Sequence, residues 1–282
     1  MKVAELNNAL IEELEQMPAE ALIRWAFENF GERAAIGTSF QLSGSVIIEL
    51  AGRVADNFRV FTIDTGRLHP ETLDMVGKVE QRYGVEVERF TPDAARVRDM
   101  VERFGEYLFF TDKTKQEYCC KVRKVEPNQR ALATMDVWIT GLRRDQSGYR
   151  KDVKKAEIVS EDGRDILKLA PLAHWDIDKI NSFIKDNDLP VNELFKKGYD
   201  SIGCVICSTP LVAGEAPRSG RWRWQTGGDD KKECGIHIPG NSSTLSPPPS
   251  KGSASGSGFD DGSGCGSGSA SGAGFDDGSG CG

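Results

Sequence analysis

Two close pairs of cysteines have the types and spacing to share one chemical site. Cys119 and Cys120 are adjacent, and Cys204 and Cys207 form a C-x2-C pair more than 80 residues later. Four thiolates are the donor set of a tetrathiolate zinc site or of an iron–sulfur cluster. Ligands within one pair of an ordinary zinc ribbon are separated by at least two residues, which Cys119 and Cys120 are not. The spacing therefore favours an iron–sulfur cluster over zinc.

A further cysteine, Cys234, lies in the polar segment KKECGIH, between a lysine pair and His237. Neighbouring cations lower the pKa of a thiol and so raise its thiolate fraction. Cys234 is therefore the best candidate nucleophile, with an ordinary surface thiol as the alternative. Cys265 and Cys281 lack such neighbours, and we predict no chemical role for them.

Basic residues are concentrated in three islands that could bind an anion. These are Lys121, Arg123 and Lys124; Arg143, Arg144 and Arg150; and Arg218, Arg221 and Arg223, which alternate with two tryptophans. Guanidinium groups bind phosphate and sulfate oxygens through paired donors. The chain as a whole has a net charge of −7, the wrong sign for general binding to a nucleic-acid backbone. The islands therefore predict a small, highly anionic substrate, although each island alone could be solvated surface charge.

The elements that must position these residues alternate between strand and helix. Strand-like apolar runs occur at 34–40, 58–64, 85–90, 136–141 and 166–171, and helical patterns occur at 44–55, 70–83, 93–104 and 176–187. This order predicts an α/β fold, a parallel twisted sheet with helices on both faces. Ligands bind beyond the carboxyl ends of such strands, where TSFQLSGSV (38–46) and IDTGRLHPETL (63–73) lie. Helix capping is the alternative use of both segments.

Composition divides the chain into four parts. We expect a helical N-terminal cap over 1–30, an α/β nucleotide-binding and cluster domain over 31–215, a mobile catalytic C-terminal arm over 216–240, and a disordered tail over 241–282. The tail holds 12 Gly and 12 Ser, so it cannot bury a core. No run approaches the roughly 18 apolar residues of a membrane helix, and the first residues are unlike a secretion signal. We therefore expect a cytoplasmic protein that binds no membrane.

Taken together, these motifs resemble those of a known family. The ordered set TSFQLSGSV, IDTGRLHPET, YCCKVRKVEP, WITGLRRDQSGYR, GCVICSTP, RSGRWRW and KKECGIH is similar to that of the assimilatory sulfonucleotide reductases. The similarity is to the branch that carries an iron–sulfur cluster and reduces adenosine 5′-phosphosulfate (APS). It covers about residues 15–240. It implies an adenine nucleotide α-hydrolase-like fold, a [4Fe-4S] cluster on Cys119, Cys120, Cys204 and Cys207, and a catalytic site at Cys234 and His237.

The resemblance also implies how the substrate is held and converted. Lys124 is similar to the residue that lies between cluster and substrate. The adenylate pocket would include Ser39, Phe40, Thr65, Gly66 and Gly141, and phosphate and sulfate would be held by Arg143, Arg144, Arg150, Arg218 and Arg221. The Cys234 thiolate would attack the sulfur of APS, expel AMP and leave an S-sulfocysteine. A separate thioredoxin would then release sulfite.

Three other hypotheses stay open. The QLSG turn stands where many cluster-containing relatives carry an acidic GAED-like turn, at the position that would sense a 3′-phosphate. Activity on 3′-phosphoadenosine 5′-phosphosulfate (PAPS) is therefore a second enzyme hypothesis. A tRNA-modifying sulfurtransferase would need an SGGxDS-like turn and a basic face, and the chain has neither. A zinc-stapled adenylate-binding protein is the non-enzyme hypothesis, and the sequence is compatible with a homo-oligomer.

Overall fold

A six-stranded sheet forms the centre of the computed structural model, which describes residues 1–161, 163–225, 235–236 and 247–248. The strands are β1 (Ala34–Gly37), β2 (Arg59–Ile63), β3 (Val87–Phe90), β4 (Val137–Thr140), β5 (Ala156–Glu161) and β6 (Arg164–Leu169). Their order is β3-β2-β1-β4-β6-β5, and every neighbouring pair is parallel except β5 and β6. The predicted α/β fold is confirmed, with one antiparallel strand at an edge.

Helices cover the sheet on both faces. In the described residues they are α1 (Asn8–Gln16), α2 (Ala19–Phe30), α3 (Leu42–Val54), α4 (Pro70–Tyr83), α5 (Ala94–Phe104), α6 (Lys113–Cys120), α7 (Glu126–Leu132) and α8 (Ile177–Asp186). Successive strand residues point to opposite faces, so Ala34 and Ile36 of β1 join the main core while Ala35 joins a smaller one. The main core receives side chains from α1–α4 and α8, and the smaller one from α7.

The N-terminal helices are joined to the main core and to the sheet edge. Leu14 of α1 and Leu22 of α2 are fully buried. The carboxylate of Glu15 accepts the backbone N–H groups of Lys155 and Ala156 at 2.6 and 3.0 Å. This contact satisfies backbone donors at the start of the edge strand β5, which would otherwise be available for unwanted pairing.

Two parts of the fold were not predicted from the sequence. Strand β5 was missed because its sequence is polar. An edge strand that is only half-buried tolerates polar side chains. Helices α6 and α7 are joined by a π-helical turn at Lys121–Val125, and α6 carries too few apolar residues for a clear helical pattern. Among the described residues, no helix combines the length and apolar character that a bilayer crossing requires.

Candidate active site

A cavity of about 550 Å³ opens at the carboxyl ends of the central strands. The residues that follow β1, β2 and β4 line it, including Thr38, Thr65 and Gly141. This is the edge at which parallel α/β sheets bind ligands. Of the predicted substrate residues, the structure brings eight to this cavity: Ser39, Thr65, Lys124, Gly141, Arg143, Arg150, Arg218 and Arg221.

A tight turn between β1 and α3 directs the start of α3 towards the cavity. The Thr38 hydroxyl accepts the backbone N–H of Phe40 at 2.9 Å, and Phe40 adopts a left-handed conformation with φ of 53°. Gly44 lies against that same hydroxyl, where a Cβ atom would clash. Gln41 to Gly44 line the cavity, so the N-terminus of α3, with its first backbone N–H groups, lies at the cavity wall.

Arg143 is a buried charge that joins two walls of the cavity. Its guanidinium donates to the hydroxyl of Ser43 at 2.6 Å and makes a paired contact with Asp145 at 2.8 and 3.0 Å. Asp145 therefore neutralises much of the Arg143 charge. Arg150, on the same loop, donates to Gln146 Oε1 at 2.5 Å. The loop from Arg143 to Arg150 is thus held by its own polar contacts before any ligand binds.

Arg218 and Arg221 share one buried hydroxyl on the opposite wall. Ser201 Oγ accepts from both guanidinium groups at 3.3 Å. Arg221 is only 5% exposed and also donates from Nε to the Cys207 carbonyl at 3.0 Å. Its Nη2 is buried and has no hydrogen-bond partner within the described ranges. A buried donor without a partner is costly, so its persistence here shows how firmly the rest of the Arg221 side chain is fixed at the cavity wall.

The charge of the cavity wall is positive. Five basic side chains contribute, from Lys124, Arg143, Arg150, Arg218 and Arg221, against three acidic ones, from Asp145, Asp200 and Glu215. An excess of basic groups in a concave site raises the local concentration of anionic ligands. The cavity therefore suits a ligand of several negative charges, although the whole chain is acidic.

Three predicted substrate residues are not brought to this cavity. Phe40 is buried in the main core beside it, and Gly66 follows Thr65 in a left-handed turn with φ of 68°. Arg144 donates to the Val153 carbonyl at 2.7 Å and to Glu15 at 3.3 Å. Its guanidinium is therefore engaged between loop and helix α1.

The predicted catalytic residues Cys234 and His237 lie outside the described residues, as does the predicted tail over 241–282 apart from residues 247–248. Between those two positions, Gly235 has a φ of 88° and Ile236 lines the cavity. Ile236 packs against the smaller core cluster, which includes Phe61 and Trp138.

A second, smaller cavity brings the four paired cysteines together. Cys119, Cys120, Cys204 and Cys207 line it, and none of them forms a disulfide. The C-x2-C segment is held there by the loop after β2, because Val205 donates its backbone N–H to the Arg67 carbonyl at 2.8 Å. The adjacent pair lies at the end of α6, where the π-helical turn begins. Such wide turns are frequent at functional sites.

The environment of Cys119 and Cys207 favours the neutral form of their thiols. Burial raises the pKa of Cys119, although Arg67 acts against it, and the neighbouring Cys204 adds to the rise. Burial also raises the pKa of Cys207, to about 11, with Cys204 acting in the same direction. A metal centre is the usual means by which such thiols become thiolates.

The cysteine cavity fits an iron–sulfur cluster by its donor set. In the described part of the chain, no three His, Cys, Asp or Glu side chains are grouped to hold a metal ion. Four thiols are the donor set of an iron–sulfur cluster and also of a tetrathiolate zinc site. Arg67, Arg123 and Lys124 line the same cavity and would offset the negative charge of four thiolates.

Lys124 lines both cavities, which places it between the thiols and the large basic site. Gln116 and Ser201 were not predicted as site residues from the sequence. Gln116 could have been found from its spacing, since residues four apart on a helix are neighbours and Cys120 is four residues later. Ser201 carries no local signal, because its role depends on two arginines from a distant segment.

Residues 33–210 match the family model of the phosphoadenosine phosphosulfate reductase domain. The chain belongs to this family. Within it, the chain is 39% identical over 214 residues to the adenosine 5′-phosphosulfate reductase of Agrobacterium fabrum, covering 76% of this chain and 81% of that protein. It is 42% identical over 176 residues to the enzyme of the same name from Rhizobium tropici, covering 62% of this chain and 96% of that protein.

A solved structure of this reductase family shows the same fold. The phosphoadenylyl-sulfate (PAPS) reductase of Candida auris, in a phosphate complex, superposes with a TM-score of 0.60 at 27% identity. The match covers 72% of this chain and 97% of that one. The sulfonucleotide reductase family predicted from the motifs is thereby confirmed.

Proposed function

We propose that this reductase converts adenosine 5′-phosphosulfate to sulfite and AMP in sulfate assimilation. The observation that carries the proposal is the position of Lys124, which lines both the basic cavity and the cysteine cavity. The basic cavity has the volume and charge to hold a small nucleotide with several negative charges. Relatives at about 40% identity bear the name of this activity.

The reaction assigns a separate task to each part of the site. The first N–H groups of α3 and the guanidinium groups of Arg218 and Arg221 would bind the phosphate and sulfate oxygens. The Cys234 thiolate would attack the sulfur, so that a sulfur–sulfur bond forms and the bond from sulfur to the AMP phosphate oxygen breaks. The bonding electron pair would leave with AMP, and Cys234 would carry an S-sulfo group.

A separate thioredoxin is the proposed reductant. One of its thiolates would attack the Cys234 sulfur and release sulfite with the electron pair of the sulfur–sulfur bond. Its second thiol would then resolve the mixed disulfide. Two electrons and two thiol protons thus come from thioredoxin, and the Cys234 thiol is regenerated. His237 would lie close to this exchange by its place in the chain, three residues after Cys234.

The proposed cofactor is a [4Fe-4S] cluster held by Cys119, Cys120, Cys204 and Cys207. Bound there, it would supply a polarising, redox-active group beside Lys124. Lys124 itself would keep its ammonium group at the junction of the two cavities, where it can attract the sulfate end of the substrate.

The test is to supply APS without thioredoxin and analyse the chain by mass spectrometry. We expect a sulfite-sized adduct on the peptide that contains Cys234, and we expect Cys234→Ser to bind APS with no turnover. Cys265→Ser is the matched control, since Cys265 has no assigned role. Turnover by Cys234→Ser, or an adduct on another cysteine, would contradict the proposed nucleophile.

Activity on PAPS is the second candidate, favoured by the match to the Candida auris reductase. Competition between APS and PAPS in one sulfite-release assay separates the two. We expect the larger kcat/KM for APS, and a larger value for PAPS would reverse the assignment.

A further inference from the structure

A buried glutamine contacts one of the four paired thiols. Gln116 lies one helical turn before Cys120 on α6 and is only 3% exposed. Its Nε2 lies 3.1 Å from Cys120 Sγ. Its Oε1 accepts the side-chain N–H of Gln225 at 2.8 Å. The amide is thus bonded on both ends, to a thiol on one side and to a distant segment on the other.

The partner segment of Gln116 is the one that continues towards Cys234. Gln225 precedes Cys234 by nine residues in the chain. Trp224, next to it, donates its indole N–H to the Phe109 carbonyl at 2.9 Å and packs edge-on against Phe110 at 4.5 Å. Phe109 and Gln116 both line the cysteine cavity. Residues 224–225 are therefore fixed to the wall of that cavity at two points.

We propose that Gln116 is a positioning residue that couples Cys120 to the segment at residues 224–225. The effect of Gln116 on a reduction potential rests on the proposed cluster. Its hydrogen-bonded link to residues 224–225 does not. Because Gln225 binds the Gln116 oxygen, the NH2 group of Gln116 is turned towards sulfur. An amide N–H bonded to a cluster sulfur is one of the factors that set the reduction potential. The same side chain therefore tunes the thiol site and holds the start of the segment that leads to the nucleophile.

The test compares Gln116→Leu and Gln225→Leu with wild type and with Gln81→Leu. Gln81 is an exposed residue of α4, which makes it the matched control. Iron and sulfide content is measured first, and then the reduction potential and the rate of iron release to a chelator. Hydrogen exchange of the backbone at 222–225 is measured in the same samples.

We expect Gln116→Leu to keep its iron but to lower the reduction potential, since a donor to the thiolate is lost. Iron release should accelerate about tenfold or more, the usual scale of an outer-shell change. Gln225→Leu should move the potential in the same direction by less. Both variants should speed hydrogen exchange at 222–225, and Gln81→Leu should change nothing.

Unchanged potential and exchange in iron-replete Gln116→Leu would overturn the inference. Should Gln116→Leu not fold, Gln225→Leu decides, because it leaves Gln116 in place and removes only the coupling. If the wild-type protein binds no iron even after anaerobic reconstitution, the proposed cluster is contradicted. The hydrogen-exchange measurement still tests the role of Gln116 in that case. Exchange at 222–225 that matches wild type in both variants would then reject the coupling.

Discussion

Thr65 Oγ1 lies 3.3 Å from the sulfur of Cys204. Thr65 lines the basic cavity at the end of β2, and Cys204 lines the cysteine cavity. An antiparallel bridge between Leu68 and Cys204 holds the two segments together through the backbone. The basic cavity and the thiol site therefore share a wall, and a change at Cys204 should affect both.

Replacing Cys204 by serine should remove most of the iron and lower the thermal stability. A serine hydroxyl is a poor ligand for the cluster, and metal binding at such a site contributes to folding. Cys207→Ser should do the same, since it lines the same cavity. Iron analysis and thermal melting of both variants, beside Cys265→Ser as control, test this. Full iron content in either variant would contradict the proposed ligand set.

Arg221→Ala should weaken APS binding by about 1.5–3 kcal/mol, the scale of a hydrogen bond to a charged group. Arg221 lines the basic cavity, and its side chain is fixed there by Ser201 and by the Cys207 carbonyl. Arg221→Lys should recover little, because an ammonium group cannot also bind Ser201 and the Cys207 carbonyl. Titration calorimetry with APS on Cys234→Ser background measures the affinity. Arg103→Ala, on the exposed face of α5, is the control. An equal loss of APS affinity in that variant would contradict a specific role for Arg221.

Arg144→Ala should reduce stability more than it reduces substrate affinity. Its guanidinium binds the Val153 carbonyl and Glu15, and not the cavity. Glu15→Gln should produce a part of the same loss, because Glu15 also accepts two backbone N–H groups of the edge strand. A double-mutant cycle by chemical denaturation should give a coupling of about 0.5–1 kcal/mol. A tenfold rise in the Kd for APS of Arg144→Ala, with unchanged stability, would instead indicate that Arg144 binds the substrate.

The sequence predicts those site residues whose position is set by the strand or motif in which they lie. Thr65 and Gly141 follow apolar strands, and so their place at the carboxyl edge of the sheet follows from the βα rhythm. The four cysteines were predicted to share one site because four thiolates form the donor set of a metal or cluster site. Arg144 does not line the cavity, because its guanidinium contacts the Val153 carbonyl and Glu15. The direction of a side chain on an irregular loop cannot be read from sequence periodicity. Ser201 acts through two arginines more than 15 residues away, so only the folded chain shows its role. The contact of Gln116 with Cys120 follows helical spacing, whereas its contact with Gln225 is visible only in the folded chain.

The loss of folding stability at acidic pH should depend in part on an ion pair that lies outside both cavities. Asp136, just before β4, accepts two bonds from Arg33 at 2.6 and 2.7 Å and one from Arg164 at 3.3 Å. The hydrogen bonds from Arg33 hold the pKa of Asp136 below its usual value, against the opposing effect of burial. A carboxylate with a depressed pKa stabilises the fold above its unfolded pKa of about 3.9, and this contribution is lost as the pH falls through the folded pKa.

Asp136→Asn should therefore lower the free energy of unfolding at pH 7 by about 0.5–1 kcal/mol, since the Arg33 side chain is half exposed and solvent screens the pair. The difference from wild type should shrink as the pH falls below about 4, where the wild-type carboxylate becomes protonated as well. Urea denaturation from pH 7 to pH 3 measures both effects. Asp99→Asn, which breaks the exposed pair with Arg103 on α5, is the control and should change stability less at every pH. A wild-type advantage that stayed constant down to pH 3 would mean that Asp136 contributes through its shape and neutral hydrogen bonds, and not through its charge.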